Sequence, residues 1–60
     1  MMAMFDTKDL AAMLKIGRDR AYDLMRSEGF PSIKIGKTYR VDEEALLQWI
    51  RDNRGRTWEI

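Results

Sequence analysis

The apolar residues of this chain recur at two spacings, and each spacing predicts a different element. Leu10, Met13 and Leu14 stand at i, i+3 and i+4, which is the spacing of one face of a helix. Asp6 or Thr7 precedes this run and can cap the helix at its N-terminus, because a short side-chain oxygen there accepts from free backbone amides. The pattern therefore predicts a first helix of about two turns.

A second helix is predicted directly after the first, which should end near residues 15–17. Gly17 opens this helix, and its buried stripe consists of Ala21, Leu24 and Met25. Gly29 is the expected left-handed cap at its end, because glycine adopts positive φ without steric cost. Two short helices joined by about three residues are typical of a helix-turn-helix.

The spacing changes to two after Pro31, which predicts a hairpin within residues 30–41. Gly36-Lys37 forms a two-residue loop, with Gly36 where a type II′ turn needs positive φ. One face is assigned to Ile33, Ile35, Tyr39 and Val41, and the other to Lys34, Thr38 and Arg40. An isolated hairpin is marginal in water, so this one must pack on the helices.

A third helix is predicted after the hairpin, with Asp42 as its cap. One face carries Leu46, Trp49, Ile50 and Asn53, and Leu47 widens it. The whole chain, residues 1–60, is expected to form a single domain with its core over about 5–53. In the tail, residues 54–60, Trp58 and Ile60 either fold back onto the third helix, as we expect, or remain available to a partner.

Composition narrows the functional classes. The chain has 60 residues, no cysteine and no histidine, so the usual zinc ligands and nucleophile–base pairs are missing. We therefore expect no enzyme activity, no metal, no cofactor and no small-molecule ligand. No apolar run approaches a membrane span and no signal peptide is recognisable, so a cytoplasmic protein is expected.

Charge is distributed unevenly, although the net charge is only +1. Residues 1–28 carry five basic and five acidic side chains, and residues 42–60 carry three basic and five acidic side chains. Residues 29–41 carry three basic side chains and no acidic one. The local positive charge of the hairpin indicates an anionic partner.

The order helix, turn, helix, wing, helix predicts a mainly α winged helix-turn-helix with a small β-hairpin. Its residues resemble the excisionase family of small winged helix-turn-helix DNA-binding domains, relatives of the mercury-resistance regulator class. The most specific part is the wing, "Pro … Ile-Gly … Tyr-Arg-Val", at residues 31–41. The resemblance covers about residues 5–52. It departs from the family pattern at Gly17, where the family usually has serine.

The resemblance implies a DNA interface made of the second helix and the wing. The helix residues are Arg18, Asp19, Arg20, Tyr22, Asp23 and Arg26, and the wing residues are Lys34, Lys37, Thr38 and Arg40. Arg20 is the candidate for a guanine contact and Arg18 for a phosphate contact.

Other interpretations of these residues stay open. Arg20 and Arg26 could pair with Asp23, and Tyr22 could be purely structural. Asp19 and Asp23 could accept from cytosine, orient the arginines or mark a surface that does not bind DNA. The wing lysines could serve only to protect an edge strand.

The predicted function is sequence-specific binding of double-stranded DNA from a mobile element. The role would be that of an excisionase-like directionality factor or a small transcriptional regulator. Because one such domain offers a small contact area, we expect several copies to bind repeated sites cooperatively. An integrase or recombinase is a further expected partner. The alternative is a winged-helix adaptor that binds a protein instead of DNA.

Overall fold

Three helices and three short strands follow one another in residues 3–59, the part of the chain that this computed structural model describes. The elements in chain order are β1 (Met4–Phe5), α1 (Thr7–Leu14), α2 (Arg18–Arg26), β2 (Ile33–Ile35), β3 (Thr38–Asp42) and α3 (Glu43–Asp52). The predicted order of helix, turn, helix, wing and helix is confirmed. Within these residues no helix is long and apolar enough to cross a membrane.

Strand β1 was not predicted from the sequence. It pairs antiparallel with β3, placing Met4 opposite Asp42 and Phe5 opposite Val41. The amide of Glu43 continues this ladder by donating to the carbonyl of Ala3 at 2.9 Å. The two wing strands thus belong to a three-stranded sheet in the order β1-β3-β2, in which β3 is central and β2 is an edge. Two residues are too few to show a period of two, so the pattern gave no signal for this strand.

Two aspartates begin helices as predicted. Asp6 caps α1 in a capping box, in which the Asp9 amide donates to Asp6 Oδ1 at 2.8 Å and the Asp6 amide donates to Asp9 Oδ2 at 3.2 Å. Asp42 caps α3 by accepting from the Ala45 amide at 3.0 Å. Since Asp42 is also the last residue of β3, the wing passes into α3 without a loop.

The end of α2 differs from the prediction. The helix stops at Arg26, and Ser27 follows in an extended conformation. The amide and hydroxyl of Ser27 both donate to the Leu24 carbonyl, at 3.1 and 2.6 Å. Gly29 does have positive φ, +91°, but it lies in the turn beyond this cap. The serine hydroxyl gives this terminal carbonyl a second hydrogen bond, which a glycine at position 27 could not supply.

The predicted faces of the hairpin were wrong. The register places Ile33 opposite Arg40 and Ile35 opposite Thr38. Residues directly opposite in an antiparallel pair share a face, so the isoleucines lie with Arg40 and Thr38 instead of with Val41. The side chains of Ile33 and Ile35 are 52% and 58% exposed. The two-residue loop was predicted correctly, and that loop length itself forbids the predicted faces.

The core lies between α1, α2, the inner face of the sheet and α3. It consists of Leu10, Ala11, Ala21, Leu24, Met25, Phe30, Val41 and Leu46. The buried stripe predicted for α2 is confirmed. Two predicted apolar positions are exposed instead, Met13 at 48% and Leu47 at 40%, because α1 and α3 are each covered along one narrow stripe only.

The tail folds back, as expected for Trp58, while Ile60 lies outside the described residues. The Trp58 ring meets Trp49 edge to face with centroids 5.0 Å apart, and Trp49 meets Phe30 in the same way, also at 5.0 Å. A Cβ at Gly29 would lie 3.7 Å from the Trp58 ring. Within residues 3–59 the two indole nitrogens are buried without hydrogen-bond partners. Each such group costs about 1–3 kcal/mol, so the packing of the Trp58 ring must offset this cost for the tail to stay docked.

We expect α1 to lose stability in acid through the capping carboxyl. A hydrogen bond from the Asp9 amide lowers the pKa of Asp6 below its ordinary value of 3.8, partly offset by desolvation, and the nearby charge of Arg40 lowers it further. Stabilisation by the charged cap is therefore present above pH 3.8 and is lost as the pH falls through the lower folded-state pKa. Asp6→Asn keeps a capping oxygen but cannot titrate. Its free energy of unfolding, from urea titrations between about pH 5 and pH 2, should fall less than that of wild type.

The matched control is Glu28→Gln, which removes an exposed carboxylate from the turn after α2. It should keep the acid dependence of the wild-type protein. If Asp6→Asn follows the wild-type curve throughout, the cap is not the titrating group.

The docked tail can be tested at Trp58. Trp58→Ala removes the edge-to-face contact with Trp49 and should lower the free energy of unfolding by about 1–3 kcal/mol. Trp58→Phe keeps a ring and removes one buried unpartnered N–H, so it should cost less than the alanine variant. Equal stability of wild type and Trp58→Ala in urea would show that the tail does not contribute to the fold.

Candidate nucleic-acid interface

Helix α2 turns all its polar side chains outward. Its stripe of Ala21, Leu24 and Met25 is buried, and the six residues predicted to contact DNA are exposed. Their positions around the helix differ. At 100° per residue, Asp19 and Asp23 lie near the middle of the outward face, while Tyr22 and Arg20 lie on opposite flanks, about 160° apart.

The Tyr22 flank of α2 contacts the wing. The Tyr22 ring meets Tyr39 edge to face with centroids 5.7 Å apart. The Arg26 guanidinium lies over the Tyr22 ring, 5.2 Å from its centroid. Lys34 Nζ lies over the Tyr39 ring, 5.8 Å from its centroid. We call these four residues, Lys34, Tyr39, Tyr22 and Arg26, the aromatic bridge. It fixes the wing relative to α2 and places a cation at each of its ends.

Three of these four residues, Lys34, Tyr22 and Arg26, were predicted from the sequence as interface residues, but the contact between the two tyrosine rings was not. Tyr39 was assigned to the buried face of the hairpin, where it lies, half-buried, beside Val41. Lys34 was assigned to the opposite face, and this was wrong because it stands directly opposite Tyr39. The signal that could have found the bridge is again the loop length, since a two-residue loop puts residues 34 and 39 in one pair.

The other wing residues surround the hairpin loop. Lys37 and Thr38 are exposed, and Arg40 is half-buried. The Thr38 hydroxyl donates to the Ile35 carbonyl at 3.0 Å, which closes the loop. Arg40 Nη1 donates to the Tyr39 carbonyl at 3.0 Å. The guanidinium is therefore held along the strand and leaves other N–H groups for a ligand.

The aspartates of α2 do not pair with its arginines. In the described part of the chain, neither Arg20 nor Arg26 lies within 4.0 Å of an Asp23 carboxylate oxygen. Arg26 is held by the Tyr22 ring instead. This contradicts the interpretation in which Asp23 merely pairs with the arginines of its own helix. Asp19 and Asp23 remain as two outward-facing negative charges in the middle of a face flanked by cations.

Residues 3–59 hold no group of three or more His, Cys, Asp or Glu side chains suited to bind a metal ion. What the interface offers is exposed guanidinium, ammonium, hydroxyl and carboxylate groups on one helix and one hairpin. Groups of these kinds recognise and hold a partner through hydrogen bonds and ion pairs.

The arrangement of helices and hairpin defines a winged helix-turn-helix protein. The sequence profile of the helix-turn-helix domain family matches residues 4–54. The chain is 40% identical over 47 residues to a protein of Streptomyces ambofaciens named "Excisionase", covering 78% of this chain and 76% of that protein. It is also 33% identical over 45 residues to the uncharacterized protein YvgK of Bacillus subtilis (strain 168), covering 75% of this chain and 15% of YvgK.

The chain therefore belongs to the helix-turn-helix domain family, as an excisionase-type member. The predicted resemblance is confirmed. No solved structure gave a significant match. These relationships support DNA binding and an excisionase-like role.

The aromatic bridge predicts a specific effect of changing Tyr39. Tyr39→Leu keeps an apolar side chain against the core but removes the ring pair, which is worth about 0.5–1.5 kcal/mol beyond buried area. Amide hydrogen exchange should become faster in β2 and β3 while the amides of α1 remain as protected as in wild type. Tyr39→Phe is the control, because it keeps the ring and should keep wild-type exchange. Unchanged exchange in Tyr39→Leu would mean that the bridge does not hold the wing.

Proposed function

We propose that this protein binds a specific double-stranded DNA site, with α2 in the major groove and the wing against the adjacent phosphates. The observation that carries the proposal is the aromatic bridge. It joins the Tyr22 flank of α2 to the hairpin, which supports one duplex contacting both elements. Membership in a family of helix-turn-helix domains supports the same conclusion.

The arginines of α2 divide into two roles in this proposal. Arg18 and Arg20 lie in the first turn, the part of a recognition helix that contacts base edges. Arg20, on the flank away from the wing, makes a bidentate contact to guanine. Arg18 lies on the same flank as Tyr22 and contacts a phosphate. Arg26, held on the Tyr22 ring, also faces the backbone.

Asp19 and Asp23 give the interface its selectivity. A carboxylate in the major groove accepts a hydrogen bond from the cytosine amino group, and it is repelled by phosphates when no such donor is present. Two aspartates in the middle of the outward face therefore weaken binding to random sequence and favour sites with cytosine at the matching positions. This explains why a DNA-binding helix would carry two acids.

The wing supplies affinity that does not depend on sequence. Lys34, Lys37 and Arg40 add three positive charges, and the Thr38 hydroxyl adds a neutral contact. Phosphate contacts of this kind fix register and orientation, while base contacts determine which sequence is bound. In the proposal, the phosphate contacts of the wing hold α2 against the DNA, and the base contacts of α2 determine which sequence is bound.

The biological role is proposed to be that of an excisionase-type DNA-binding factor without bond chemistry. The named relative from Streptomyces supports this role. A single small domain contacts about 600–1,000 Å² of DNA, so one copy binds weakly. We therefore propose that several copies occupy repeated sites about one helical turn apart, and that a recombinase is the partner they assist. Regulation of transcription at the same sites is compatible with these contacts.

The two classes of contact predict different mutant phenotypes. Lys37→Ala should reduce the slope of log K against log salt by about one unit on any duplex, because it removes one phosphate contact. Arg20→Ala should cost roughly 1–3 kcal/mol on the selected site and little on random duplex, because it removes a base contact. The site is obtained by selection from a random duplex library, and binding is measured by fluorescence anisotropy across a salt series.

Arg54→Ala serves as the charge-matched control, since Arg54 lies beyond α3 and outside the proposed interface. Its salt slope should equal that of wild type. If wild type binds no duplex at about 50 mM salt, where phosphate contacts are strong, the proposal fails.

A protein-binding adaptor is the second candidate, and the two aspartates are the observation that favours it. Asp23→Asn separates the two functions. If the protein binds DNA through Asp23, the asparagine variant should bind random duplex more tightly than wild type. Its preference for cytosine over other bases at the contacted position should fall by about 1–3 kcal/mol. For an adaptor, duplex binding is absent in wild type and variant alike.

A further inference from the structure

A cationic groove extends the proposed interface towards α1 and includes Lys8, which has no role in the contacts described so far. It is a groove of about 290 Å³ between the start of α1 and the edge of β3. Its lining residues are Asp6, Thr7, Lys8, Tyr22, Lys37, Thr38, Tyr39 and Arg40. We call it the α1–β3 groove.

The groove exists because β1 is shorter than β3. The last residue of β1, Phe5, pairs with Val41, and the chain then turns into α1. The part of β3 before Val41 therefore has a neighbour on the β2 side but none on the side of β1. A sheet edge of this kind presents backbone N–H and C=O groups to whatever lies beside it.

The register shows that the Tyr39 backbone faces this groove. Ile35 and Thr38 close the two-residue loop as a hydrogen-bonded pair. Such pairs alternate with pairs that share no backbone hydrogen bond, so the next pair, Lys34 and Tyr39, points its N–H and C=O groups away from each other. The bond from Arg40 Nη1 to the Tyr39 carbonyl fits this direction. The Tyr39 amide is left as a donor into the groove.

The electrostatics of the groove favour an anion. Lys8, Lys37 and Arg40 line it together with one acid, Asp6. That gives a net charge of +2 on eight residues, compared with +1 for the entire chain. The Asp6 carboxylate accepts from the Asp9 amide at 2.8 Å, so its charge is partly committed to the first turn of α1.

The position of the groove identifies the anion. Tyr22 belongs both to its lining and to the aromatic bridge, so the groove opens next to the outward face of α2. A duplex that contacts α2 and the wing presents a phosphate backbone at this place. We propose that the α1–β3 groove binds one phosphodiester of that DNA, held by Lys8, Lys37, Arg40 and the Tyr39 amide. This rests on the DNA-binding function proposed above and adds Lys8 to its contacts.

The test compares two lysines of the same helix region. Lys8→Gln and Lys15→Asn remove the same charge, and asparagine tolerates the left-handed conformation that Lys15 adopts at φ 56°. On the selected duplex, Lys8→Gln should bind about eightfold more weakly at 0.1 M salt and reduce the salt slope by about one unit, because one phosphate contact is lost. Lys15→Asn should bind like wild type. Thermal melts check that both variants are folded.

A neutral phosphate locates the contact. Methylphosphonate groups are placed one at a time along the selected duplex, and each duplex is titrated with wild type and with Lys8→Gln. One position should weaken binding by wild type more than it weakens binding by the variant, because Lys8→Gln has already lost one of the contacts to that phosphate. If no position behaves in this way, or if Lys8→Gln and Lys15→Asn bind alike, the groove does not hold a phosphodiester.

An arm without DNA separates failure of this inference from failure of the proposed function. Inorganic phosphate, titrated into labelled wild-type protein, should shift the amide resonances of Lys8, Thr38 and Tyr39, and Lys8→Gln should need more phosphate to reach the same shifts. Shifts with phosphate but no duplex binding would overturn the DNA function and support an anion site for free phosphate. Duplex binding with neither the shifts nor the Lys8 effect would leave the function and overturn the groove.

Discussion

Burial of one face of β3 is the constraint on which the rest of the structure depends. Val41 is fully buried, and the strand that carries it contacts β1, β2, α2 and α3. The residues on either side of Val41 follow from this placement: Tyr39 reaches Tyr22 on α2, and Asp42 caps α3. In a chain this small, which buries only about 60% of its unfolded surface, one central strand can organise every other element.

This constraint separates what the sequence could predict from what it could not. The helices, the N-terminal caps at Asp6 and Asp42, and the loop at Gly36-Lys37 depend on neighbouring residues, and they were predicted correctly. The strand β1 depends on pairing with residues almost forty positions away, and its two residues carry no periodicity. The hairpin faces could have been found, because the loop length sets which residues are opposite. The spacing of apolar residues alone puts Ile33 and Ile35 on the face of Val41, whereas the strand register puts them on the opposite face.

The candidate site divides in the same way. The residue types of the candidate interface were recognisable in the sequence, and the six residues of α2 predicted to contact DNA are all exposed in the structure. What the sequence could not supply is the relation between the helix and the wing. The aromatic bridge sets that relation through rings from two distant segments, and the same contact brings Tyr22 to the edge of the α1–β3 groove.

Weak net charge and specific DNA binding are compatible in this arrangement. A chain of net charge +1 has little general attraction for DNA, so random sequence competes poorly for it. The cations are concentrated on the wing and around the groove, and the two acids stand in the middle of α2. The assembly of several copies at a few sites, proposed above, would benefit from this balance. In that proposal each copy binds too weakly to be held elsewhere, and selectivity comes from the contacts that only the right sequence satisfies.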